Sequence, residues 1–173
     1  MSNPADLIDA ICEFLTVTVK DLQLKTQGGD GRPPQIVAGY LPPKNPKKPE
    51  LQEEDFPFVI VRLISLEDVG EKGGGTSKDY AQAVVRLVIG TYSHDAQDGW
   101  RDVANTATRI WIDLFRKRVI AKRYRIEYPY LFEMPEEQPY PQWIGEMTTR
   151  WTMPRPLEEI YDQEVVLDGE FFK

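Results

Sequence analysis

Between Tyr80 and Tyr92 the chain alternates: Ala83, Val85, Leu87 and Ile89 point one way, Gln82, Val84, Arg86 and Val88 the other. A period of two predicts a strand with one buried face and one mixed face. After Gly90 and a polar turn of Ser93, His94 and Asp95 the period lengthens. Trp100, Val103, Ala107, Ile110, Trp111 and Leu114 recur at three and four residues, which predicts a helix burying that stripe. Asp95 or Asp98 is expected to cap its start, and Arg116, Lys117 and Arg118 suit its negative C-terminal end.

The same rule extends the reading in both directions. Asn3 and Pro4 are a helix start, and Leu7, Ile8, Ile11 and Leu15 form the buried stripe of a helix over Pro4 to Lys20. Residues 25–57 hold four glycines and seven prolines, which leaves room only for a short edge strand at Ile36 to Leu41. The charged, proline-rich part of that stretch, with Lys47 and Lys48, reads as an exposed arm. Phe58 to Leu66 is apolar on both faces apart from Arg62, the pattern of a central strand. Glu67 to Asp79, with Gly73, Gly74 and Gly75, then makes the flexible tip of a hairpin. Tyr124, Ile126 and Tyr128 alternate with Arg125 and Glu127 in a short strand over Arg123 to Tyr128. Pro129, Pro135, Pro139 and Pro141 bound a loop after it. In the last strand, Gln142 to Met153, Trp143, Met147, Trp151 and Met153 share one face, while Glu146, Thr148, Arg150 and Thr152 share the other.

These elements predict an α+β fold: a single, mainly antiparallel sheet of about four strands with two helices packed on one face, a long hairpin and a proline-rich arm. One domain spans residues 1–173, with residues 157–173 as an acidic tail. The outer sheet face, with Arg62 and Arg86 beside Val84 and Val88, is a candidate for subunit contact. The three tip glycines and the two arm lysines are further contact candidates.

Composition narrows the function. A net charge of −7 argues against phosphate-backbone binding as the main activity. The basic cluster from Arg116 to Arg125 reads as a solvated helix end and strand edge. No apolar run approaches the roughly 20 residues of a membrane span, and no leader is expected at Met1. The one cysteine, Cys12, falls on the buried side of the first helix and is expected to pack rather than react.

No motif for chemistry emerges. Gly70 and Gly75 have Walker spacing, but Thr76 stands where a lysine must reach phosphate, and a strand follows where a helix is needed. His94 near Asp95 and Asp98 matches no zinc signature. Ser93 and Ser65 lack the strained turn of a hydrolase nucleophile. Glu133, Glu136, Glu137 and Glu146 read as solvated carboxylates, not a glycosidase pair. Trp100, Trp111, Trp143 and Trp151 are expected in the core. The chain is therefore read as a non-enzyme without cofactor or metal.

Three stretches together resemble a known family. They are Val84 to Tyr92 with Gly99, Trp100, Arg101, Asp102, Val103 and Asn105 opening a helix; Tyr124, Arg125 and Ile126 leading to Pro129; and Glu137, Gln138, Pro139, Tyr140, Pro141, Trp143 and Gly145, then Thr148, Thr149 and Trp151. The combination resembles tail-terminator or tail-completion proteins of tailed bacteriophages and prophages, over roughly Phe56 to Pro156. The resemblance implies a structural part of the virion tail, assembled in the host cytoplasm. Such proteins close into a homo-oligomeric ring, commonly a hexamer, on the end of the tail tube. The ring stops tube polymerisation and meets the head–tail connector, and DNA passes its bore without specific binding. A head-completion or connector protein is the alternative within the same class. A small adaptor domain and a hydrolase are the alternatives outside it. The family carries no signature catalytic residues, so none is transferred.

Overall fold

The computed structural model describes residues 3–42, 55–68 and 80–155. Its elements run α1 (Pro4–Val19), β1 (Leu24–Lys25), β2 (Gly31–Arg32), β3 (Gln35–Ala38), β4 (Phe58–Glu67), β5 (Tyr80–Tyr92), α2 (Trp100–Lys117), β6 (Val119–Ile120), β7 (Tyr124–Glu133) and β8 (Gln142–Pro154). Six strands form one curled, mixed sheet in the order β3-β4-β5-β8-β7-β6, and β1 and β2 form a separate two-strand sheet. β3 runs parallel to β4; the other pairings are antiparallel.

The expected sheet of about four antiparallel strands is thus overturned. Strands of two residues, such as β1, β2 and β6, are too short to show any period. The parallel direction of β3 is set by how the chain returns from residue 39 to residue 57, which hydrophobic alternation does not encode. The reading of Pro129 as a loop boundary fails too, because β7 continues to Glu133. The β7–β8 register breaks between Glu127 and Leu131, so the proline sits where no regular ladder hydrogen bond is required of it.

The inner face of the sheet carries the main core. Val59, Val61, Ala83, Val85, Leu87, Ile89, Ile126, Met147 and Trp151 meet Leu7, Ile11 and Leu15 of α1 and Val103, Ala107, Ile110 and Leu114 of α2. Two polar side chains inside it, Thr149 and Trp151, are paired. Trp151 Nε1 donates to Thr149 Oγ1 at 2.9 Å, and that hydroxyl donates to the Val85 carbonyl at 2.8 Å. α1 starts on a reciprocal capping box, in which Asn3 Oδ1 accepts from Asp6 N and the Asp6 carboxylate accepts from Asn3 N.

α2 carries Arg116, Lys117 and Arg118 at its C-terminal end as expected, but departs from expectation at its start. Its N-cap is Gly99, without a side-chain cap. Asp95 instead accepts the backbone N–H groups of Gln97 and Asp98 at 3.0 and 2.9 Å, one turn early. Those two donors hold its carboxyl below the usual range. Asp98 faces outward to Arg101 Nε at 2.7 Å. Gly99 is required by proximity: a Cβ there would collide with the Trp143 indole and come within 2.7 Å of the Asp95 carbonyl. Trp143 and Trp151 are buried, but Trp100 and Trp111 are 41% and 40% exposed, which corrects their placement in the core. Trp111 lies on the flank of the stripe and stacks on Tyr130 of β7 at 5.4 Å.

A second, smaller cluster lies on the outer face at one end of the sheet. Phe56, Phe58, Ile60 and Tyr92 pack with Val37, Leu41, Val88 and Ile144. Phe58 lies opposite Gly90, and any Cβ at Gly90 would strike the Phe58 ring. Hydrogen bonds from Arg32 Nη2 to the Phe56 carbonyl (2.9 Å) and from Gln35 Nε2 to the Asp55 carbonyl (2.8 Å) pin the chain over this cluster.

Candidate functional site

Beyond that cluster, the outer sheet face mixes charged, polar and apolar side chains and is only partly covered among the described residues. Cross-strand register places Arg62, Arg86 and Thr148 in one row and Ile60, Val88 and Glu146 in the next. Two like charges, Arg62 and Arg86, are therefore direct neighbours, an arrangement that costs energy unless each finds a partner.

Each does. Arg62 Nε donates to the Gly39 carbonyl at 3.2 Å, and its guanidinium lies 4.2 Å over the Tyr40 ring. It thereby fastens the chain just past β3. Arg86 Nε is shielded from solvent and faces Glu146 Oε2 at 3.5 Å, a charge contact longer than a good hydrogen bond. Glu146 in turn lies opposite Glu133 in register, so Arg86 relieves a carboxylate pair. The two arginines expected as subunit contacts hold the fold as well as marking the face. The other expected contacts, Gly73, Gly74, Gly75, Lys47 and Lys48, lie outside the described residues.

The structure adds a feature that the alternation did not reveal. β4 is buried on both faces from Phe58 to Val61, then exposed from Leu63 to Glu67. β3 pairs with it only as far as Val61, and among the described residues no strand takes up the edge of 62–67. Leu63, Ile64 and Leu66 are 37%, 44% and 45% exposed there, and Tyr80 at the start of β5 is 49% exposed. An apolar strand with an open edge offers both backbone hydrogen bonds and side-chain area to another chain. The sequence signal was present in Arg62, where the buried run stops, but both faces being apolar hid it.

Around His94 the arrangement is structural. Tyr92 Oη lies 3.2 Å from His94 Nε2, Tyr140 Oη donates to the His94 carbonyl at 2.9 Å, and Trp143 Nε1 donates to the Ser93 carbonyl at 3.1 Å. These bonds tie the turn before α2 to the start of β8. Among the described residues no three His, Cys, Asp or Glu side chains converge as metal ligands, and no helix is long and apolar enough to cross a membrane. A cleft of about 580 Å³ between the helices is lined by Phe14, Val17, Arg109 and Asp113, with Arg109 and Asp113 paired at 3.7 Å. The arrangement that stands out is a surface for contact: a mixed outer face and a projecting apolar edge. Neither any protein-family model nor any curated protein sequence matches the chain.

Proposed function

We propose that this protein is a structural component of a phage virion that closes as a ring on the end of the tail tube, stops tube growth and presents a surface to the head–tail connector. The observation that carries the reading is the open β4 edge with its exposed leucines and isoleucine, set beside a sheet face of balanced charge. A ring built from identical copies needs a heterologous contact, one surface of each copy meeting a different surface of the next. A projecting apolar edge supplies the first surface, and the charged outer face bounded by Arg86 and Glu146 supplies a different one. The family resemblance over Phe56 to Pro156 supplies the class, and the net charge of −7 suits a bore through which DNA slides without adhering. The reading assigns no catalytic residue.

The test is mass in solution by light scattering across a concentration series, with negative-stain images and binding to purified tail tubes. Rings with a hole wide enough for duplex DNA, or a cap on tube ends, are expected. A chain that stays monomeric at every concentration and leaves tube ends bare would overturn the proposal. Binding to a portal instead of a tube end would move the protein to the head-completion role.

A further inference from the structure

At the corner of the outer face where β8 ends, a groove of about 500 Å³ opens between the β6–β7 hairpin and the start of β5. Val119 and Tyr80 give it apolar walls, and Lys122, Arg123 and Arg125 give it three cations. Its one carboxylate among the described residues, Glu127, is already engaged. Arg118 Nη2 lies 3.5 Å from it and Arg125 Nε 3.2 Å, and Thr152 Oγ1 donates to it at 3.1 Å. Neither Lys122 nor Arg123 has a carboxylate within 4.0 Å among the described residues. The groove is left cationic.

The turn that presents these cations is conformationally costly. Ala121 and Lys122 have φ of 47° and 58°, and the turn is closed by Arg123 N–H to the Ile120 carbonyl at 3.1 Å. Left-handed positions in a turn of this kind favour Asn and Gly. A lysine held there keeps a charge at the rim where the backbone alone would select glycine.

Pro154, the last residue of β8, is itself part of the groove wall. The chain beyond Arg155 holds six acidic residues, Glu158, Glu159, Asp162, Glu164, Asp168 and Glu170, against the single Lys173. Between them stand Leu157, Ile160, Tyr161 and Val165. Most of the protein's net negative charge thus leaves the fold at the lip of its cationic groove. Four residues of extended chain span at most about 13 Å, which keeps Glu158 within that reach of Pro154 in the groove wall. A short tether holds segment and groove at roughly millimolar effective concentration, enough for weak ion pairs and a little apolar area to close the contact.

We propose that the groove walled by Tyr80, Val119, Lys122, Arg123 and Arg125 is the binding site for the protein's own acidic C-terminal segment, residues 157–173. The inference is independent of ring formation. It makes that corner of the outer face a covered surface in the free chain, and one whose cover is weakened by salt.

The test uses the full chain and a variant whose segment is neutralised (Glu158→Gln, Glu159→Gln, Asp162→Asn, Glu164→Gln, Asp168→Asn and Glu170→Gln). At low ionic strength a zero-length carbodiimide coupling is expected to join Lys122 to a carboxylate of the segment within a species of one chain mass. In the neutralised variant, acylation of Lys122, followed by peptide mass spectrometry, is expected to run at least tenfold faster. Equal acylation rates in the two proteins would overturn the proposal. So would coupling found only in species of two chain masses, which would place the segment on a neighbouring copy.

Discussion

Cys12 shows how a single side chain's chemistry is set by its place on a helix. It sits on α1 at the margin of the core stripe, packed against buried neighbours. Burial, and then the charge of Asp9 beside it, push the thiol up to about 11. A thiol so raised keeps its proton at pH 8, where alkylation by iodoacetamide should run on the order of 100-fold slower than for a free cysteine. The rate should go on climbing past pH 9, where a free thiol levels off. The linkage follows the same sign. The folded state holds this proton more tightly than the unfolded chain does, so the contribution to stability is complete below the unfolded value and is lost as pH rises towards about 11. An alkylation profile that levels off near pH 8.5 would show that the thiol is not shielded. The position of Cys12 near the apolar stripe was legible in sequence. The part played by Asp9 was not, since it depends on how deeply that turn of α1 sinks.

Among the elements, the β6–β7 hairpin is the least predictable and the most open to a direct test. Two residues of β6 carry no periodic signal, and Ala121 and Lys122 are not the residues a tight turn ordinarily displays. Left-handed backbone costs a non-glycine residue roughly 1–2 kcal/mol. The double substitution Ala121→Asn and Lys122→Gly should therefore raise unfolding free energy by about 1–2 kcal/mol in a urea titration, with the slope unchanged. A loss of stability would mean that the lysine contributes a contact outweighing its backbone cost. β5 and β8 stand at the opposite extreme. Tyr80–Tyr92 and Gln142–Pro154 are long, one-face-buried strands at the centre of the sheet, and alternation alone located both. α2 lies between, because its stripe was readable while its width was not. Trp100 and Trp111 belong to the helix's flanks, and a period of 3.6 does not say how much of the circumference the sheet will cover.

The whole molecule places its apolar surface unevenly. Two helices roof the inner face, yet β4 outruns them, so Leu63, Ile64 and Leu66 emerge at an edge that β3 leaves open. Charge on such an edge is a common means of preventing association. Ile64→Lys with Leu66→Lys should accordingly weaken self-association at least tenfold by light scattering. Stability should stay within about 0.5 kcal/mol of the parent, since neither side chain is in the core. Unchanged association would direct attention to the outer face around Arg86 and Glu146 instead.

Hydrophobic period and the placement of proline and glycine were enough to determine the two helices, the long strands and the inner core face. These properties depend on each residue's own polarity and on neighbours a few positions away. The sheet's six strands, the parallel entry of β3, the continuation of β7 through Pro129 and the open edge of β4 were decided only in the tertiary structure. Each depends on which distant segment lies alongside, and pairing direction and coverage leave no periodic trace in a single strand. The two arginines of the outer face illustrate the divide. Their presence on that face followed from alternation, but their partners, the Gly39 carbonyl with the Tyr40 ring for Arg62 and Glu146 for Arg86, required the folded sheet to bring residues 23, 22 and 60 positions apart into contact.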